Sequence, residues 1–279
     1  MSDPRTLDEV ARLVLAPNPS PMTLDGTNTY LLGDPAHGAV TIVDPGPDDA
    51  DHRRAVEAAL DGAEVAAVVI THHHHDHSAA AGWAGEWGAD LRAFDPGLVP
   101  GATPLADGEE LRIGGITIAA VHTPGHASDH LCLRIVETDV VLTGDHVLGR
   151  GSTVVNWPDG DMSAYMRSLD RLAAAPGRRI YPGHGDVVDR PAEKVAEYIA
   201  HRRERERQVL DAIASGAAST PAIVEVVYTD VPAHLHPAAA RSVNAVLEKL
   251  VAQGRVDPAL SPGGGGVGSD PSGIGGGSG

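Results

Sequence analysis

The chain has 279 residues, 42% of them hydrophobic but only 3% aromatic, and a formal net charge of -17. That is enough apolar material for one large core of Val, Leu, Ile and Ala, and the acidic excess weighs against nucleic acid as a partner because it repels polyanions. The lone cysteine, Cys132, excludes an intramolecular disulfide and a cysteine-rich zinc knuckle, and with neither a secretory start nor an apolar run of about 18 residues the expected address is the cytoplasm, with no membrane partner.

In chain order, "TNTYLLG", "AVTIVDPG" and "VAAVVITH" read as strands, with the helix "PDDADHRRAVEAALDG" before the third. Four more strands follow in "ELRIGG", "ITIAAVHTPG", "DHLCLRIV" and "DVVLTGD", then a helix in "MSAYMRSLDRLAAA" and a last strand in "RRIYPGH". Interleaved strands and helices predict a layered α/β protein, two sheets with helices outside, over residues 1–190. Beyond Arg190 the texture becomes helical: Pro191 opens a long helix, "TPAIVEVVY" makes a short one, and Val243, Val246, Leu247, Leu250 and Val251 share one face of a third. Residues 191–260 therefore read as a helical, winged-helix-like module. The Gly-rich segment 261–279 has nothing to bury and is expected to be disordered.

Four consecutive histidines, an aspartate and a fifth histidine follow the buried strand "VAAVVI". Side chains alternate along an extended chain, so His72 and His74 point one way and His73 and His75 the other. A small-residue helix beginning at "HSAAAGW" turns the backbone enough to place Asp76 and His77 beside the first pair. A solvated polar loop would explain a bare His-His pair; a His-x-His-x-Asp-His string at a strand end points to a metal, since zinc favours neutral imidazole with carboxylate support. Such a site needs further ligands at strand ends. His126 after Gly125, Asp145 after Gly144 and His184 after Gly183 supply them, each glycine permitting close backbone approach.

This series resembles that of the metallo-β-lactamase fold superfamily, matched across about residues 24–190 by "IVDPG", "THHHHDH", "TPGH", "TGD" and "YPGHG". The resemblance implies an αββα sandwich with the site at one edge of the sheets. It implies that His72, His74 and His126 hold one metal, Asp76, His77 and His184 a second, that Asp145 bridges both, and that Asp44 orients a ligating histidine. "NPSPMTLDGTNTYLLG", "GDHVLGRGSTVV" and "YIAHRRERERQVL" further resemble the β-lactamase-like protein 2 group, whose members include a single-stranded RNA endonuclease and relatives acting on acyl carrier thioesters. Ala79 and Ala80 stand where a Gly-Gly pair is common.

The expected activity is that of a metal-dependent hydrolase: two zinc ions, with iron or manganese as other ions for this donor set, and a metal-bridging hydroxide that attacks an ester-type bond. Asp76 and Asp145 serve by holding the metal pair, and His130 is a candidate proton donor to the leaving group. The substrate is a phosphodiester of single-stranded RNA or a thioester or other small ester, with Arg150 the best-placed residue for an RNA groove. The alternative is a nucleic-acid-binding regulator with a structural metal site, disfavoured because seven ligands suggest a pair of open sites. Cys132 reads as core, His52, His201, His234 and His236 as solvated, and "HRRERERQ" as a solvated helix face.

Overall fold

The computed structural model describes residues 4–262. The Gly-rich stretch read as disordered lies, from residue 263 onward, outside the described residues. One sheet has seven strands in chain order: β1 (Arg5–Thr6), β2 (Ala11–Leu15), β3 (Asn28–Leu32), β4 (Ala39–Val43), β5 (Glu64–Val69), β6 (Asp90–Ala93) and β7 (Thr103–Pro104). The other is built from β8 (Glu110–Ile113), β9 (Ile116–His122), β10 (Leu131–Ile135), β11 (Val140–Gly144) and β12 (Arg179–Pro182), in the spatial order β12-β11-β10-β9-β8. The helices are α1 (Ala50–Leu60), the short α2 (His75–Ser78) and α3 (Trp83–Trp87), then α4 (Met162–Ala174), α5 (Pro191–Ala214), α6 (Thr220–Val227) and α7 (His236–Ala252).

Period-two alternation decides the layering. In β10, Leu131, Leu133 and Ile135 enter the core between the sheets, where they meet Tyr30 and Leu32 of β3, while Cys132 faces the helices on the other side. In β5, Val69 joins that central core and Val68 packs with Ala55, Val56 and Ala59 of α1. The third core lies between the second sheet and α4 to α7, from Val141 and Ile180 through Tyr165 and Leu169 to Tyr198 and Leu247. These cores make the four-layer αββα sandwich, and the C-terminal helices continue its outer layer. Among the described residues no strand follows β12, so the C-terminal part is helical.

Cap chemistry agrees with the helix starts: Asp49 accepts from Asp51 N and His52 N ahead of α1, and Asp161 from Ala164 N ahead of α4. β1, β2, β6 and β7 escape the sequence reading. β1 and β7 are two-residue edge pieces, β6 ("DLRA") alternates over four residues only, and β2 is settled by its pairing with β3, with Leu13 opposite Tyr30.

Topology gathers the motifs. β4 and β5 run parallel in one sheet, β11 and β12 in the other, and β9 shares the direction of β11 because each is antiparallel to β10. All five strands therefore end at one edge of the sandwich, where Asp44, His72, His126, Asp145 and His184 follow them.

Candidate metal centre and its pocket

Seven side chains converge at that edge. Ligand-capable atoms of His72, His74 and His126 lie within 4.8 Å of one another, as do those of His72, His77 and Asp145 and those of Asp76, His77 and His184. The seven residues singled out from sequence are thus brought together, and Asp145 touches both sides: its Oδ2 is 3.7 Å from His126 Nε2 and its Oδ1 is 3.4 Å from His77 Nε2 and 3.3 Å from His184 Nε2. Gly183 makes this crowding possible, since a Cβ there would fall 2.6 Å from Asp145 Oδ1 and 2.8 Å from His77 Cε1.

The second ring nitrogens set the tautomers. His77 Nδ1 donates to Asp44 Oδ2 at 2.8 Å, His126 Nδ1 to the Val154 carbonyl at 2.6 Å, and His184 Nδ1 to the Gly26 carbonyl at 3.1 Å. Thr71 Oγ1 donates to Asp44 and so accepts from His72 Nδ1 at 3.0 Å. Each of these rings therefore turns an Nε2 lone pair inward. His77 Nε2 lies 3.3 Å from His184 Nε2, and His72 Nε2 and Asp145 Oδ1 are buried with no hydrogen-bond partner. Lone pairs crowded together and orphaned buried acceptors are costly unless a cation sits among them, so this donor set fits metal ions.

Electrostatics divides the cluster. Burial pushes His72 well below its ordinary value, His74 down to about 3, reinforced by His126, and lowers His126, so all three are neutral imidazoles. Burial also lowers His77 and His184, but facing carboxylates outweigh it: Asp76, Asp145 and Asp44 hold His77 well above its ordinary value, and Asp145 and Asp76 bring His184 to about 9. Asp76 lies at about 2, because His77 and His184 overcome the opposing effect of burial. The carboxylates thus draw positive charge to this end, a demand that protons or a divalent cation satisfy.

The remaining histidines differ in fate. His130 is fully buried, its Nδ1 2.9 Å from Thr123 Oγ1 and its Nε2 accepting from Asp145 N at 3.1 Å. With both ring nitrogens engaged, it buttresses the Asp145 backbone and has no free nitrogen to turn toward a substrate. His73 pairs with the buried Asp129 at 2.9 Å, and His75 is exposed. His52 corrects the sequence reading: it is buried, with Nε2 2.9 Å from Thr29 Oγ1, because α1 packs that face against β2 and β3. The "HRRERERQ" face is corrected too. Arg202 is only 6% exposed, donates to the Thr153 carbonyl at 2.5 Å and lies 4.9 Å over the Tyr165 ring. Arg150, the candidate for an RNA groove, is held by Asp25 in a two-pronged ion pair of 2.5 and 2.9 Å.

Sequence reasoning assigned no role to the segment 153–156, although residues 153–155 end the stretch "GDHVLGRGSTVV". Val154 and Thr153 hold His126 Nδ1, and the Asn156 side chain lies 3.2 Å from His74 Nε2. C-terminal helices pin the segment: Arg202 to Thr153 O, Ser242 Oγ accepting from Val155 N at 3.1 Å, and Arg241 to Asn156 Oδ1 at 2.7 Å. A cavity of about 260 Å³ opens beside His126 and Asp145, walled by Met22, Leu24, Leu148, Val154, Tyr228 and Leu235 among others. The C-terminal helices therefore both close the outer core and wall the site.

The description "Metallo-beta-lactamase superfamily" matches residues 22–184, and "Beta-lactamase associated winged helix domain" matches residues 219–260. The chain is 35% identical over 264 residues to a Beta-lactamase-like protein 2 homolog of Drosophila melanogaster, covering 87% of this chain and 88% of that one. It is 34% identical over 240 residues to an Atrochrysone carboxyl ACP thioesterase of Aspergillus fumigatus, covering 79% and 74%. A crystal structure of a metallo-beta-lactamase family protein from Thermus thermophilus superposes with a TM-score of 0.75 at 26% identity, over 89% of this chain and 95% of the other. With its strand-end cluster of histidines and aspartates, the chain belongs to the metallo-beta-lactamase superfamily and is one of its metal-dependent hydrolases.

Proposed function

We propose that the protein is a dinuclear zinc hydrolase of a small carboxylic ester or thioester. His72, His74 and His126 would hold one ion, Asp76, His77 and His184 the other, with Asp145 shared, because these are the sets whose donor atoms converge. Neutral imidazoles with carboxylate and no thiolate suit zinc. Two such ions, when bound, acidify water and polarise a carbonyl oxygen.

The protein's own groups do the rest. Asp44, Thr71, Val154 and Gly26 keep four imidazoles in the tautomer with Nε2 unprotonated, and His130 steadies the Asp145 backbone. Apolar walls beside Asp145 orient the acyl group there. In the hydrolysis, water oxygen bonds to the carbonyl carbon, the C–O or C–S bond breaks, and the leaving alcohol or thiol takes up a proton from that water.

The observation that carries the substrate class is the cavity. Its walls suit an acyl group, and its one phenol ring, Tyr228, is covered by Arg205 at 4.6 Å, which takes up a face on which a base of single-stranded RNA would stack. The thioesterase relative supports the same class. Zinc-loaded protein assayed on carboxylic esters, acyl thioesters and single-stranded RNA is expected to turn over the first two, with RNA cleavage slight. RNA cleavage without ester or thioester turnover would overturn the reading.

A further inference from the structure

In a chain of net charge -17, the cavity beside the candidate metal centre is lined by Arg150, Arg202 and Arg205 and by one acid, Asp145, which belongs to the ligand cluster. Two of these arginines are already neutralised: Arg150 pairs with Asp25, and Arg205 donates to the Val227 carbonyl at 2.6 Å with Asp230 at 3.8 Å. Arg202 is not. Among the described residues no carboxylate lies within ion-pair distance of it, its Nε is buried without a hydrogen-bond partner, and only the Thr153 carbonyl and the Tyr165 ring attend the guanidinium. A buried cation short of acceptors is expensive to maintain, and the favourable remedy is an anion with two acceptor oxygens, the geometry a guanidinium fork matches.

The cavity is apolar along its sides and cationic where α5 borders it. At about 260 Å³ it is on the scale of a short acyl chain.

We propose that this cavity is an acyl subsite for acids: Arg202 binds a carboxylate at the far end of the acyl group whose ester or thioester carbonyl lies at the metal centre. The proposal rests on the hydrolytic reading of that centre. It makes the substrate the monoester or monothioester of a short dicarboxylic acid, released as the dicarboxylate when water adds to the carbonyl carbon and the thiol or alcohol departs with a proton.

The test compares N-acetylcysteamine thioesters of hexanoate with the monothioester of hexanedioate, and the butanedioyl and octanedioyl analogues, on zinc-loaded full-length protein. The best dicarboxylic member is expected to exceed its length-matched neutral counterpart by about tenfold or more in kcat/KM, mainly through KM. In Arg202→Gln that ratio is expected to fall toward one, and in Arg202→Lys to recover in part; a ratio taken within one variant is insensitive to general damage. Calorimetric binding of hexanedioate against hexanoate gives a readout independent of turnover, with a preference for hexanedioate that Arg202→Gln removes. Thioester hydrolysis with no preference for the acid overturns the subsite alone. No turnover together with Arg202-dependent hexanedioate binding overturns the hydrolytic reading and leaves the subsite standing. Absence of both, or cleavage of RNA only, overturns both.

Discussion

Asp44 holds His77 from behind: its Oδ2 lies 2.8 Å from His77 Nδ1, while Thr71 donates its N–H to Oδ1 and its hydroxyl to Oδ2, each at 2.8 Å. The carboxylate needs a φ of 50° to do so, a left-handed conformation that aspartate tolerates better than most side chains. Asp44→Asn preserves the shape and removes the charge that orients the ring. Zinc affinity measured by chelator competition is expected to fall about 10- to 100-fold. Unchanged affinity would show that Asp44 does not orient a ligand.

Asp145 lies between the two halves of the cluster, with one oxygen toward His126 and the other toward His77 and His184. Elemental analysis of zinc-saturated protein is expected to find close to two ions per chain, and Asp145→Ala to lose affinity for both. A single ion at saturation would sink the dinuclear arrangement.

Arg241 is exposed on α7, yet its guanidinium anchors Asn156, whose amide meets His74 Nε2. Arg241→Ala is expected to reduce kcat/KM roughly fivefold, the worth of about 1 kcal/mol, with little change in Tm. Wild-type activity in this variant would show that the C-terminal helices wall the site without positioning its ligands.

His52 gives the fold an acid sensitivity separate from the metal centre. Burial holds its pKa at about 4, against an ordinary 6.5, so between those values the unfolded chain binds a proton that the folded chain refuses. Stability from this residue is therefore fully present above pH 6.5 and declines as pH falls toward 4, by at most about 3 kcal/mol. His52→Gln retains a donor for Thr29 and removes the titration. The stability difference between wild type and variant is expected to move in the variant's favour over that window, as followed by denaturant unfolding at stepped pH. A difference that stays constant with pH would show that His52 titrates alike in both states.

The sequence by itself determined the elements whose side chains run apolar or recur: the strands β5 and β10, the helices capped by Asp49 and Asp161, and the strand-end groups from His72 to His184. These are local patterns, set by the geometry of a strand or a helix turn, so neighbouring residues suffice to show them. The tertiary structure alone decided what stands behind and beside those groups. Nothing near His52 in sequence says that Thr29 will cover it, and Arg150 meets an aspartate 125 residues away. The segment 153–156 holds His126 and His74 because Arg202, Arg241 and Ser242 reach it from helices that begin at Pro191 and His236. Burial of a charged or polar side chain depends on which distant surfaces the packed core brings over it, and that information is not carried by local spacing.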